Sequence, residues 1–172
     1  MSYKEKYLKY KKKYIDLKKQ SIIRGGKPIH YFNDFIIHPH IYYIDLSDQL
    51  HLTSLTTNFC TSCTNLRYIN LSPLSNITTI GDEFMYYCLK LKSIDLSGLP
   101  QLTEIGNDFM CYCRSLTSID LSGISQHTKI GSRFMKNCKS LTSIKCSQEI
   151  KKKLIEGYPY LNEKTINYII TS

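Results

Sequence analysis

No stretch of the 172-residue chain approaches the roughly 18 consecutive apolar residues of a membrane span. The first twenty residues hold eight lysines, where a secretory leader would need an apolar run. Export and integral membrane placement are therefore disfavoured. The sequence also lacks a nucleophile elbow, a phosphate-binding glycine loop and a paired-carboxylate motif. No catalytic residue stands out, so the expectation is a non-enzyme without cofactor or small-molecule substrate. What is present fits one ordinary domain: 42% hydrophobic residues and 22% charged are too apolar a mixture for wholesale disorder.

The net charge of +9 is unevenly placed. Residues 1–28 carry ten Lys or Arg against Glu5 and Asp16, whereas residues 29–172 carry thirteen basic against twelve acidic. The basicity belongs to the N-terminal segment.

Self-similarity dominates the remainder, with a period of 25 residues. Ile44, Ile69, Ile94, Ile119 and Ile144 form one column, and Leu46, Leu71, Leu96, Leu121 and Cys146 another. Phe59, Phe84, Phe109 and Phe134 recur likewise, as do Cys63, Cys88, Cys113 and Cys138, and Gly81, Gly106 and Gly131. In Ile94-Asp95-Leu96-Ser97 apolar and polar residues alternate with the period of a half-buried strand. The glycine, followed by Phe, Met, Cys and Leu at spacings of one, three and three, suggests a tight bend and a short helical turn. The expected fold is an α/β solenoid of four to five strand-plus-short-helix rungs, each burying its inward side chains on its neighbours.

The segments LTEIGNDFMCYCRSLTSIDLS (residues 102–122) and TTIGDEFMYYCLKLKSIDLS (residues 78–97) resemble the BspA-like, or Treponema-type, leucine-rich repeat. The resemblance covers residues 41–147. Its period of 25, against about 23 in that family, and Phe-Met in place of Ala-Phe depart from the pattern. It implies a leucine-rich-repeat solenoid that presents its exposed strand face to a protein partner.

Tyr3, Tyr7, Tyr10, Tyr14 and Leu17 fall at alternating spacings of four and three, one stripe of a basic amphipathic helix. Lys4, Lys6, Lys9, Lys11, Lys12, Lys13, Lys18 and Lys19 fill its other faces, and Gly25-Gly26 forms a hinge. The helix is either simply solvated or a tether for nucleic acid or anionic membrane. The segment resembles the leader of proteins from giant DNA viruses of the mimivirus group. That implies a viral origin, with residence in the host-cell cytoplasm or the virion. Arg24-Gly25-Gly26 also resembles sites cut by SUMO-type viral proteases. The expected organisation is this leader over residues 1–28, a solenoid with its N-terminal cap over 29–147, and a C-terminal cap of two short helices over 148–172.

Six of the seven cysteines fall on inward columns, with Cys111 alone expected at the surface. The register favours reduced, buried thiols over a disulfide or metal site, although ladder thiols at a strand-like spacing would be close enough to oxidise. Cys60-x-x-Cys63 has no second pair at finger spacing, and His38, His40 and His51 have no carboxylate at a telling distance, so no metal site is expected. Asn70-Leu-Ser72 and Asn76-Ile-Thr78 would be glycosylated only after export. His127, in the column of Leu52, Ile77 and Leu102, and Cys146, in a leucine column, suggest a looser final rung. Asp45, Asn70, Asp95, Asp120 and Lys145 stack outward beside Arg67, Lys92, Thr117 and Thr142 and beside Tyr68, Ser93, Ser118 and Ser143. Arg67, Tyr68, Asn70, Lys92, Asp95 and Asp120 are thus the candidate partner-binding residues. The same ladder also reads as a solvated face that keeps an open sheet soluble.

Overall fold

The computed structural model describes residues 42–46, 49–162 and 166–171. The expected N-terminal helix, its lysines, the Gly25-Gly26 hinge, His38 and His40 lie outside the described residues.

Each repeat opens on a strand whose isoleucine points inward: β1 (Tyr43–Asp45), β3 (Tyr68–Asn70), β5 (Ser93–Asp95), β7 (Ser118–Asp120) and β9 (Ser143–Cys146). Between them lie two-residue strands, β2 (Ser54–Leu55), β4 (Thr79–Ile80), β6 (Glu104–Ile105) and β8 (Lys129–Ile130). Pairing is parallel throughout: β1 pairs with β3, a separate ladder holds β5, β7 and β9, and the register is the repeat itself, with Ile94 opposing Ile119, which opposes Ile144. The short-strand sheet runs β2-β4-β6-β8. The repeated isoleucines, leucines and phenylalanines form one continuous core. Phe59, Phe84, Phe109 and Phe134 stack in sequence with ring centroids 5.5, 5.4 and 5.1 Å apart.

The return limb is not the expected helical turn. It is a chain of overlapping tight turns in which alternate residues take positive φ: Glu83 (54°), Met85 (55°) and Tyr87 (61°), with equivalents in the rungs on either side. Hydrogen bonding explains the alternation. The Glu83 and Tyr87 N–H groups donate forward to Asn107 O (2.8 Å) and Cys111 O (3.0 Å), while that of Met85 donates back to Phe59 O (2.8 Å). A helix would turn those amides onto its own carbonyls, leaving adjacent rungs unjoined. Left-handed backbone costs a non-glycine residue about 1–2 kcal/mol, and here the inter-rung bonds offset it.

The glycine column serves a different need. A Cβ at Gly106 would meet the backbone of Asp82 at 2.5 Å and of Gly81 at 2.6 Å, so glycine is required by the close approach of two rungs. Cysteine has its own reason to recur. The Cys88, Cys113 and Cys138 thiols donate to the carbonyls of Cys60, Met85 and Met110 at 3.2, 3.2 and 3.1 Å.

Three further expectations are corrected. Cys111 is buried, 1% exposed, with its thiol donating to Arg133 O at 2.7 Å. His127 swings outward, and Thr128 takes the inside position, its hydroxyl donating to Leu102 O at 2.7 Å. The rung is re-registered locally, and Cys146 is fully buried. The C-terminal cap holds one helix, α1 (Gln148–Gly157), N-capped by the Ser147 side chain accepting from Ile150 N. The second segment is a strand, β10 (Asn167–Ile170), paired parallel to β9.

The cap closes the return limb by substitution. In earlier rungs the carbonyls of Thr103, Ile105 and Phe109 accept from the next rung's backbone: Lys129, Gly131 and Met135. At the last rung, Thr128 O accepts from Lys153 Nζ (2.8 Å), Ile130 O from the Tyr158 hydroxyl (2.9 Å) and Phe134 O from the Tyr160 hydroxyl (3.0 Å). The Tyr158 ring extends the phenylalanine stack, 5.8 Å from Phe134.

Two substitutions separate the roles of glycine and of positive φ. Gly106→Ala is expected to destabilise the fold by about 1–3 kcal/mol through overpacking, whereas Glu83→Gly is expected to leave stability unchanged or raise it by about 1 kcal/mol. Urea unfolding followed by circular dichroism measures both.

Candidate partner-binding face

The outward side of the long strands carries the candidate residues, each fixed by its place in the ladder. Arg67 precedes β3 and is anchored by its N–H donating to Tyr42 O (3.0 Å), while its guanidinium sits 5.8 Å from the centre of the Tyr42 ring. Tyr68 lies opposite Tyr43, and the two rings stack at 4.9 Å with 9° between their planes. Tyr42 is 50% exposed. Lys92, in the Arg67 column one rung on, is exposed.

The acidic column behaves differently. Asn70, Asp95 and Asp120 each use Oδ1 to accept the N–H of the serine two residues on, at 3.2, 2.8 and 2.9 Å. These are turns that end the strand, and the residue type follows from that local task. Asp120 also accepts from the Ser122 hydroxyl (2.6 Å) and from Lys145 Nζ (2.8 Å). Burial pushes its carboxyl up, but the Lys145 ammonium and the Ser122 donors outweigh it and hold the group below the usual carboxylate range. Asp95 opposes Asp120 in the register, where like charges repel, and Lys145 relieves this on the Asp120 side. Of the six candidates, Arg67, Tyr68 and Lys92 lie on the first rungs, while Asn70, Asp95 and Asp120 each do backbone work.

A second surface was not singled out in the sequence. On the return limb, Glu83, Tyr86, Asp108, Tyr112, Arg133 and Lys136 line an open groove of about 380 Å³ with Cys111 at its floor. Tyr87 and Tyr112 stack at 4.6 Å, and Tyr86 meets both edge-on. Their 25-residue spacing was visible, but the expected helical turn placed no common face there. Arg133 grips Asp108 with both Nε (2.6 Å) and a terminal nitrogen. This hydrogen bond holds the Asp108 carboxyl below its ordinary value, and burial raises the Cys111 thiol to about 12. His51 is exposed, and no group of three metal-ligating side chains gathers among the described residues.

The repeat, its register and its face define a leucine-rich-repeat solenoid. The family profile described as "BspA type Leucine rich repeat region" matches residues 35–167 in six copies, and the chain belongs to that family. A crystal structure of a leucine-rich repeat protein from Bacteroides ovatus ATCC 8483 shares the fold, with a TM-score of 0.53 at 23% identity over 70% of this chain. The chain spans 28% of that protein's length. No curated protein matches the sequence.

The Asp108 pairing has a pH consequence. A carboxyl held below its unfolded value stabilises the fold above that value, and the contribution disappears as pH falls through the folded one. Asp108→Asn is expected to lower the urea midpoint at pH 7 and to narrow its drop between pH 5 and pH 2.5. An undiminished drop in the variant would remove Asp108 from the acid response.

Proposed function

We propose that the solenoid is a non-enzymatic protein-interaction module that binds its partner through the outward strand face, anchored on Arg67, Tyr68 and Lys92 and flanked by Asn70, Asp95 and Asp120. The observation that supports this most is the stacked Tyr43–Tyr68 pair, with half-exposed Tyr42 and the Arg67 guanidinium beside it. Tyrosine and arginine dominate the energetic centres of protein interfaces, because a rigid aromatic surface loses little entropy on docking. The asparagine and aspartates of the neighbouring column, by contrast, are explained by the turns they close.

The excess of ten basic over two acidic residues in 1–28 supports a second role as a tether to nucleic acid or anionic membrane, with the solenoid as spacer or structural virion component. The compositional resemblance of that segment to giant-virus leaders supports a viral origin and a place in the host-cell cytoplasm or virion.

Cross-linking and affinity capture from the cells in which the protein is made test the reading. Tyr68→Ala and Arg67→Ala are each expected to weaken capture of the partner at least tenfold, with Thr142→Ala as an unaffected control. Deleting residues 1–26 is expected to leave that capture intact. Loss of capture with the deletion alone, in a salt-dependent manner, would instead favour the tether.

A further inference from the structure

The two limbs of the solenoid end differently. The return limb is closed by Lys153, Tyr158 and Tyr160, whose side chains take the place of a following rung's amides. The strand limb receives one more strand, β10, and no strand pairs with its outer edge among the described residues. β10 continues the columns of the ladder: Ile169 opposes Lys145 and Ile170 opposes Cys146. Ile170 therefore occupies the inward column whose earlier members, Leu46, Leu71, Leu96, Leu121 and Cys146, are at most 2% exposed, yet it is 44% exposed itself. Ile169, on the outward column, is 47% exposed. A core column is thus left uncovered beside an edge strand, the arrangement that soluble proteins ordinarily blunt with charge, proline or a bulge.

The backbone of β10 is oriented for pairing. Asn167 N–H donates to Thr142 O (2.8 Å) and Thr171 N–H to Cys146 O (3.0 Å), both toward β9. Strand alternation directs the Ile170 N–H to the opposite, outer side. The C-terminal part of the sequence is the more basic. Residues 129–172 contain nine Lys or Arg against three Glu, whereas residues 42–128 contain four basic against eight acidic. Lys151 lies 5.5 Å from the centre of the Tyr168 ring on β10 itself.

We propose that the outer edge of β10 is a strand-docking site for an extended, acidic segment of a partner protein, whose backbone continues the ladder and whose apolar residue covers Ile170. This surface is separate from the Arg67–Tyr68 face, and neither requires the other. Main-chain pairing provides the adhesion, the Ile170 column fixes the register, and Lys151 beside Tyr168, in a basic C-terminal segment, favours an acidic sequence.

The probe is a fluorescein-labelled, amidated peptide of residues 116–123 carrying Thr117→Glu and Ser118→Glu, titrated by anisotropy into the full chain. A control peptide carries Thr117→Lys, Ser118→Lys and Asp120→Lys. Saturable binding of the acidic peptide is expected, at least tenfold weaker for the lysine peptide and at least tenfold weaker in 0.5 M salt. Ile170→Pro, which removes an outward donor while keeping the Asn167 and Thr171 bonds, is expected to reduce binding at least tenfold. Ile170→Asp serves as a second variant, and circular dichroism confirms the fold of both. Failure of the acidic peptide to saturate, or equal binding to correctly folded variants, overturns the proposal. So does concentration-dependent dimerisation in sedimentation that Ile170→Pro abolishes without peptide binding, which would assign the edge to a second copy of the chain.

Discussion

The structure depends on one constraint: successive coils lie close enough for their backbones to bond, on the return limb as well as in the sheets, with the β3-to-β5 step of the long-strand ladder as the exception. That spacing brings backbone against backbone, so each coil must hand hydrogen bonds forward and backward to its neighbours. Three features follow. Glycine stands at 81, 106 and 131 because no Cβ fits between the coils there. Left-handed residues alternate on the return limb because this alternation sends amides in both directions. Thiols recur because a cysteine can fill a small apolar space and still donate to a carbonyl of the preceding coil.

The same constraint makes the ends the most informative places. A solenoid exposes unpaired groups wherever its repetition stops. The cap meets this on the return limb with donors from a lysine and two tyrosines, none of which a repeat pattern would mark as equivalent to a backbone amide. On the strand limb the chain adds a strand and leaves an isoleucine of the core column partly bare. The strand face and this edge are thus two surfaces of different chemistry, one aromatic and cationic, the other a backbone edge with Lys151 beside it.

The columns of Ile69, Leu71, Phe84 and Cys88 made the inward face and the register legible in the sequence, since a period of 25 leaves few ways to stack identical residues. The return limb was misjudged because spacings of one, three and three suit a helical turn and a chain of tight turns alike. Only the inter-coil bonds distinguish them, and those are non-local. Cys111 was placed outside for the same reason. β10 was missed because it opposes β9 at a spacing of 24 rather than 25, Asn167 against Ser143, after the repeat had dissolved into α1. On the face, Arg67, Tyr68 and Lys92 were legible as exposed ladder positions. The turn-forming work of Asn70, Asp95 and Asp120 has a local signal of its own, an Asx residue two before a serine, which the outward ladder masks. The contribution of Tyr42 and Tyr43 emerged only from ring geometry.

Amide hydrogen exchange by NMR tests the inter-coil account most directly. Glu83, Tyr87, Asp108 and Tyr112 donate forward to the next coil, whereas the N–H groups of Arg133 and Asn137, at the equivalent places in the last return limb, find no acceptor among the described residues. Strong protection at the first four amides and fast exchange at the last two is the result the account requires. Equal protection at all six would mean that the limb satisfies its own amides, as a helix does, and would contradict it.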